Sequence, residues 1–343
     1  MSVLFISSSF FGYAKHIKKE LEKKFENVFW YEDRPSTSFL GKVKTRLLPR
    51  IAEKMAFRYF KRIADENRDK NIREVFVIKG ESLSVESIKY LRKIFPRAVF
   101  RLYFWDGYGN MPSSSFAKVD HFDVALSFDP VDVKNDARLI YRPLFFVGDY
   151  QNRNPVKADI DLLFVGTAHT DRYRIVKKID ESLAGSGINF CKVLYCPSRI
   201  IYWARRTFDP SFWRVKKEDF IFKPISHEEL SGLVSRAAAV LDIERTAQTG
   251  FTMRTLEILG AAKKLITTNP TVIGASFYNP KNILAIDRKN PVISKDFLRS
   301  PLAEIDEAVV DYYSIATWVN QIFEAPLRTS IRPVEGQALA LVD

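Results

Sequence analysis

The run Ala237-Ala238-Ala239-Val240-Leu241-Asp242 decides the fold, together with the two segments after it. Beyond a loop come Gln248-Thr249-Gly250-Phe251-Thr252-Met253-Arg254-Thr255-Leu256-Glu257 and then Ala262-Lys263-Lys264-Leu265-Ile266-Thr267-Thr268-Asn269. An apolar stretch of strand length ends at Asp242. A loop carries Arg245, Gln248, Thr249 and Gly250, a helix starts near Thr252, and a second apolar strand closes the unit. Continuous apolar strands separated by a helix read as a parallel βαβ unit. Its loop opens into a helix N-terminus, where free N–H groups and a partial positive charge favour an anion. Gly250 permits close backbone approach, Thr252 offers a hydroxyl, and Arg254 offers a bidentate phosphate contact. Glu257, about one turn further on, presents a carboxylate suited to both hydroxyls of a ribose. From spacing alone, a capped core helix whose Arg and Glu face solvent fits as well.

The same alternation extends in both directions. Val3–Ser7, Val28–Tyr31, Val75–Ile78, Ala98–Phe104 and Val124–Ser127 read as buried strands, with helix-period segments at Tyr13–Phe25, Lys42–Asn67 and Val85–Ile94. A second series comes after them, with strands at Ile160–Val165, Phe190–Leu194, Phe220–Phe222, Ala238–Asp242, Leu265–Thr267 and Ile283–Ala285. Its helices are expected at Asp171–Leu183, Glu228–Ser235, Met253–Ala262 and Ile315–Phe323. Ser226 and Glu229 fit a capping box. The pattern predicts an α/β protein of two doubly wound, Rossmann-like domains facing across a cleft. Residues 1–142 form the first domain and 159–326 the second. Residues 143–158, which include Asp149-Tyr150-Gln151-Asn152-Arg153-Asn154, read as the linker. Residues 327–343 lack periodicity and are left out of the fold as a disordered or non-native tail.

Composition narrows the function classes. The 343 residues are 46% hydrophobic, enough for two domains to bury their own cores. The net charge of +12 attracts polyanions: nucleic acid, an anionic membrane surface or a phosphorylated substrate. Cys191 and Cys196 lack metal-site spacing and read as reduced thiols. The N-terminus lacks signal-peptide blocks, and no stretch reaches the roughly 20 apolar residues that span a bilayer. A cytoplasmic protein is expected, with peripheral contact to the inner membrane allowed by its charge.

The segment from Lys223-Pro224-Ile225-Ser226-His227-Glu228-Glu229-Leu230 to Asn269 resembles the donor half of GT-B glycosyltransferases. The shared order is a Glu-Glu-Leu helix, an Ala-rich strand, a glycine turn, a helix with a glutamate and a closing strand. The resemblance covers roughly residues 160–325 and the N-terminal half in pattern only. It is nearest to bacterial surface-polysaccharide transferases, including CgeB-like and lipopolysaccharide-core proteins. It implies a nucleotide sugar as co-substrate, no separate cofactor, and a saccharide or lipid-linked acceptor in lipopolysaccharide, capsule or O-antigen synthesis. It implies that Glu257 holds the ribose, and that Gly166, Thr167, His169 and Arg172 face the diphosphate. Thr249, Gly250, Thr252 and Arg254 complete that donor contact, and backbone groups from Lys223 to Ser226 read the base. Retaining members carry two glutamates eight positions apart; Glu257 matches the second, but Thr249 stands where the first would be, so retention is not implied.

A base for the acceptor hydroxyl would come from the first domain. Glu81, after Gly80, and Asp106, in Trp105-Asp106-Gly107, both follow strand ends, with Asp129 and Asp132 behind them. The loop Ser7-Ser8-Ser9-Phe10-Phe11-Gly12-Tyr13 supplies acceptor contacts at Ser9, Gly12 and Tyr13, without the spacing of a dinucleotide fingerprint. Asp159-Ile160-Asp161 leads into a strand and is a poor metal site. Transfer is therefore expected to be metal-independent, with Arg254, Arg172 and helix dipoles taking up the charge on the leaving diphosphate. Basic and apolar residues interleave in Gly41 to Lys70 and in Ile201 to Lys217, as on solvated helix faces or on a surface for anionic lipid. Two other readings remain: a nucleic-acid-binding protein, resting on charge alone, and a nucleotide-sugar epimerase of the same architecture. The epimerase would need carboxylates and histidines from both domains, drawn from His16, His121, His169 and His227.

Overall fold

A computed structural model describes residues 1–9, 12–34, 49–112, 115–151, 157–167, 171–208, 220–245 and 249–328. It contains two parallel six-stranded sheets. The first sheet is built from β1 (Ser2–Ile6), β2 (Asn27–Tyr31), β3 (Ile72–Ile78), β4 (Val99–Phe104), β5 (Val124–Ser127) and β6 (Ile140–Tyr141), in the order β2-β1-β3-β4-β5-β6. The second is built from β7 (Ile160–Thr167), β8 (Phe190–Tyr195), β9 (Phe220–Ile221), β10 (Ala237–Asp242), β11 (Lys264–Thr267) and β12 (Ile283–Ala285), in the order β12-β11-β10-β7-β8-β9. All pairings are parallel. The α/β reading of two doubly wound units holds. In each sheet the winding reverses beside its first strand, between β1 and β3 and between β7 and β10, and such points open crevices at the carboxyl ends of the strands.

The helices that position the site follow their apolar spacing. Helix α1 (Tyr13–Lys24) buries Tyr13, Ala14, Ile17 and Leu21, a one-sided stripe of helical period. Helix α2 (Pro49–Glu66) is shorter than the helix expected over 42–67, whose first seven residues lie outside the described chain. Pro49 stands in its first turn, where a missing N–H leaves no bond unmade. Helices α3 (Val85–Ile94), α4 (Pro130–Asn135) and α5 (Arg172–Leu183) follow, and then α6 (Arg199–Phe208), which periodicity did not single out. Next come α7 (His227–Arg236), with the complete Ser226–Glu229 capping box, and α8 (Met253–Gly260). The chain ends in α9 (Lys295–Arg299), α10 (Glu307–Tyr312) and α11 (Ile315–Glu324).

The stretch read as the linker, residues 143–158, is packed where it begins: Leu144, Phe145, Phe146, Val147 and Tyr150 are all buried. Helix α11, placed by chain order in the second unit, packs on the first. Its Trp318 is 0% exposed and meets Tyr103, Phe145 and Trp105, while Phe323 meets Phe25 and Phe76. Backbone bonds fix the crossing, since Phe146 N–H donates to Tyr313 O (2.9 Å) and Ile315 N–H to Phe146 O (3.0 Å). Arg101, buried against Glu74, donates to the Ile322 carbonyl at 3.0 Å and so satisfies an open end of α11. Arg328, counted with the tail, donates to Val119 O and so is anchored to the first unit. One apolar core therefore runs from Val3 and Phe76 through Trp318 to Leu256 and Leu265, beneath both sheets.

Replacing Trp318 with Ala removes the largest side chain of that shared core. The expected loss is about 3–5 kcal/mol of unfolding free energy, with both units melting together in a denaturant titration. A small loss, or separate melting of an undisturbed unit, would contradict the shared core.

Candidate active site

The expected site residues fall into separate groups, and the first spans the two units. Tyr13, at the start of α1, donates its phenol hydrogen to Glu257 Oε1. Arg254 Nη1 lies 3.0 Å from Glu257 Oε2, one helical turn away, as an ion contact rather than an aligned hydrogen bond. Glu257 is 1% exposed, so this carboxylate faces the first unit across a closed junction. Around it, Tyr150 bonds His227 Nδ1 at 3.2 Å, and His227 lies edge-on to both Tyr13 and His16. His16 in turn approaches Asp149 at 3.7 Å. Burial, and then the neighbouring Glu257 carboxylate, raise Tyr13 well above its ordinary value and keep its phenol protonated. Burial lowers His16, against the pull of Asp149.

The second group joins Asp129 of the first unit to the glycine turn. Asp129 caps α4 by accepting from Val131 N–H at 2.9 Å. It also accepts from the backbone N–H groups of Thr249 (3.2 Å) and Gly250 (3.3 Å) and from the Thr249 hydroxyl. Gly250 is required here, because a Cβ would come within 2.6 Å of the Phe128 ring. Thr252 caps α8, accepting from Thr255 N–H, and gives its hydroxyl hydrogen to Asp242 at 2.6 Å. The phosphate contacts expected of Thr249, Gly250, Thr252 and Arg254 are thus filled by protein carboxylates in this state. An anionic ligand would have to displace Asp129 from the turn to reach those N–H groups.

A third group was not read from the sequence. Arg288 forms two hydrogen bonds with Asp171, at 2.7 and 2.9 Å, and two with Glu244, to its carboxylate at 2.7 Å and its backbone carbonyl at 3.0 Å. Glu244 also accepts from the Thr268 hydroxyl. Arg172 lies in the same field as Asp242, Arg245, Arg288 and Glu244, and its own burial pulls it below its ordinary value. These residues lie at the carboxyl ends of β7, β10, β11 and β12. Asp171 and Arg288 are 117 residues apart, and no local pattern links them. Gly166, at the end of β7, is set by packing, since a Cβ would come within 2.9 Å of the Phe164 ring. Thr167 pairs with Tyr195 in the sheet. His169 lies outside the described residues. Lys223 is exposed, and Ser226 commits both its hydroxyl and its N–H to the cap with Glu229.

The expected bases form a fourth group, at the ends of β2, β3 and β4. Lys79, held at φ +66°, pairs with Asp106 and lies 4.0 Å from Glu81. Glu81 also pairs with Arg34. Both carboxylates are thus held by cations, and neither touches the Glu257 group. Beneath them lies Asp33, which sequence reading passed over. It is 0% exposed, accepts from Glu81 N–H at 2.9 Å, and its Oδ1 has no hydrogen-bond partner among the described residues. Burial pushes Asp33 up to about 7. Lys118, bonded to the Gly80 carbonyl, is pulled down by its own burial. Asp132 accepts from Tyr108 N–H at 2.8 Å and rises to about 6 through burial. Of the acceptor loop, Ser9 N–H bonds Glu32 at 3.2 Å, and Gly12, at φ +78°, starts α1. Among the described residues no group of three or more His, Cys, Asp or Glu is placed to hold a metal ion.

No family model matches the chain, and no curated protein sequence does. Solved structures match it along nearly its whole length. A glycosyltransferase from Rickettsia africae ESF-5 is 12% identical at a TM-score of 0.60, covering 94% of this chain and 97% of its own. An α,α-trehalose-phosphate synthase from Burkholderia xenovorans, solved with glucose-6-phosphate, is 11% identical at a TM-score of 0.61, covering 94% and 99%. The UDP-GlcNAc 2-epimerase of Methanocaldococcus jannaschii is 10% identical at a TM-score of 0.53, covering 94% and 100%. The fold is the two-sheet GT-B fold.

Asp33 gives the site a pH signature. Its folded value lies above the unfolded one, so its contribution is greatest below the unfolded value and is lost as pH rises toward 7. Asp33→Asn keeps an acceptor for Glu81 N–H and removes the titration. Between pH 4.5 and 8 the variant should gain on the wild type by on the order of 2–4 kcal/mol, read from denaturant midpoints. A constant difference across that range would show that Asp33 titrates normally.

Proposed function

We propose that the chain is a glycosyltransferase moving a sugar from a nucleotide-sugar donor to a saccharide or lipid-linked acceptor. The observation that carries this reading is the place of Glu257. It lies one turn into the helix that follows β10, beside the β7/β10 switch point, and faces the first unit across the junction. The ribose would bond Glu257, and the diphosphate would lie toward Gly166, Arg172, Arg245 and Arg288. The acceptor would enter over the carboxyl ends of the first sheet, near Ser9 and Gly12. There Glu81 or Asp106 would take the proton of the attacking hydroxyl as the nucleoside diphosphate leaves. The arginines and helix N-termini would stabilise the charge on that leaving group without a metal. The acceptor would then belong to bacterial surface-polysaccharide synthesis, the role that the sequence resemblance implies.

An epimerase reading has one observation in its favour: His16 and His227, from different units, lie 5.6 Å apart beside Glu257. Product analysis separates the two. An epimerase converts a sugar nucleotide with no acceptor present, whereas a transferase releases nucleoside diphosphate only as a glycoside forms.

The acceptor's lipid would draw the protein to an anionic bilayer. Helix α6 supports this, with Ile200 81% and Trp203 55% exposed beside Arg199 and Arg206, and no acidic residue in the helix. No described helix is long and apolar enough to cross a membrane.

Two measurements test these readings. In a thermal-shift series with nucleoside diphosphates and sugar nucleotides, one nucleotide family should raise the melting temperature by several degrees. Glu257→Ala should abolish that shift, and the absence of any shift in the wild type would sink the donor assignment. In vesicle flotation, the protein should rise with anionic but not neutral vesicles, and Trp203→Ala with Ile200→Ala should weaken the binding. Equal behaviour on both vesicle types would remove the membrane proposal.

A further inference from the structure

The carboxylate assigned to the ribose is already occupied. Tyr13 reaches it from the other unit and gives Glu257 Oε1 what a ribose hydroxyl would give, a single O–H donor on a carbon framework. Tyr13 is 8% exposed and Glu257 1%, so the bond between them is closed off from water. The phenol is held from several sides, with its ring edge-on to Phe145 and His227 and tilted against Trp105.

One other polar group of the junction is left unsatisfied. His227 Nε2 is buried and has no hydrogen-bond partner among the described residues. A buried group of this kind carries a desolvation cost that a bound ligand can relieve. A nucleotide brings polar atoms able to meet it, and the closed junction does not. Gly12 stands directly before Tyr13 at φ +78°, with no atom within 4 Å of where its Cβ would be. That backbone position has room to turn, and it is attached to the helix end that would have to move.

We propose that Tyr13 is a stand-in for the ribose: in the empty protein its phenol holds the place on Glu257, and the donor nucleotide displaces it by a rotation at Gly12. This rests on the reading of Glu257 as the ribose ligand. The physical consequence is a weaker apparent affinity. Donor binding must break the Tyr13–Glu257 bond, so the apparent dissociation constant exceeds the intrinsic one by the inverse of the open fraction. The closed state also keeps the Glu257–Arg254 pair away from water until a nucleotide arrives.

Tyr13→Phe removes the hydroxyl and keeps the ring. It leaves Glu257 Oε1 unsatisfied in the closed state, so the closed state loses stability relative to the bound one. By calorimetric titration with UDP, GDP, ADP and CDP, the nucleotide that binds the wild type should bind Tyr13→Phe roughly tenfold more tightly, about the contribution of one hydrogen bond to a charged group. Unchanged or weaker binding overturns the proposal while leaving the donor assignment standing. Binding of none of the four to the wild type overturns both. The wild type supplies a second readout, independent of the variant's folding. On adding the nucleotide, amide exchange over the first turn of α1 should accelerate as Tyr13 leaves. Slower or unaltered exchange there contradicts the displacement.

Discussion

Trp318 lies between Tyr103, Trp105 and Phe145, and the relation of the two sheets depends on that contact. The helix carrying it belongs by sequence to the second unit and by packing to the first. Its return creates one apolar core beneath both sheets and brings the carboxyl ends of their strands face to face. Because the burial is shared, neither unit completes its core alone. Phe146, bonded to the Tyr313–Ile315 turn, adds a backbone clasp at the same place. Glycine is also needed there, since a Cβ at Gly260 would meet the Phe146 ring at 2.5 Å.

On that hinge the cleft is held shut by polar contacts rather than by packing alone. Tyr13 with Glu257 and Asp129 with the Thr249–Gly250 turn each pair a group of the first unit with one that a nucleotide would use. Carboxylates thus occupy positions suited to phosphate. Hydrogen bonds to buried charge are strong enough to hold such a closure and weak enough to be exchanged for a ligand's. The arginine group at Asp171, Glu244 and Arg288 is balanced internally in the same way. The charges of these groups are met by the protein's own side chains.

The fold was largely legible because parallel strands, buried on both faces, write themselves as continuous apolar runs. The two sheets and most of their helices follow from that signal. What it could not show was where a helix packs. Helix α11 has an ordinary amphipathic pattern, and only long-range contact puts it on the first unit. In the stretch after Tyr141 that was read as the linker, the apolar half is buried, a packing that its polar run did not reveal. Of the candidate site, the helix that carries Glu257 was legible, as was the Ser226 cap. The roles of Thr249, Thr252 and Arg254 were not, because their partners Asp129, Asp242 and Glu257 are assigned only by tertiary structure. Glu81 and Asp106 were chosen for their place after strand ends, whereas a carboxyl group with raised proton affinity, Asp33, is hidden beneath them.

The central claim is that a nucleotide enters this junction and takes Glu257 from Tyr13. A crystal structure with a bound nucleoside diphosphate tests it most directly. The account predicts ribose hydroxyls within hydrogen-bonding distance of Glu257, the diphosphate beside Arg172 and Arg288, and the Tyr13 phenol withdrawn. A nucleotide bound elsewhere, with the Tyr13–Glu257 bond intact, would contradict it.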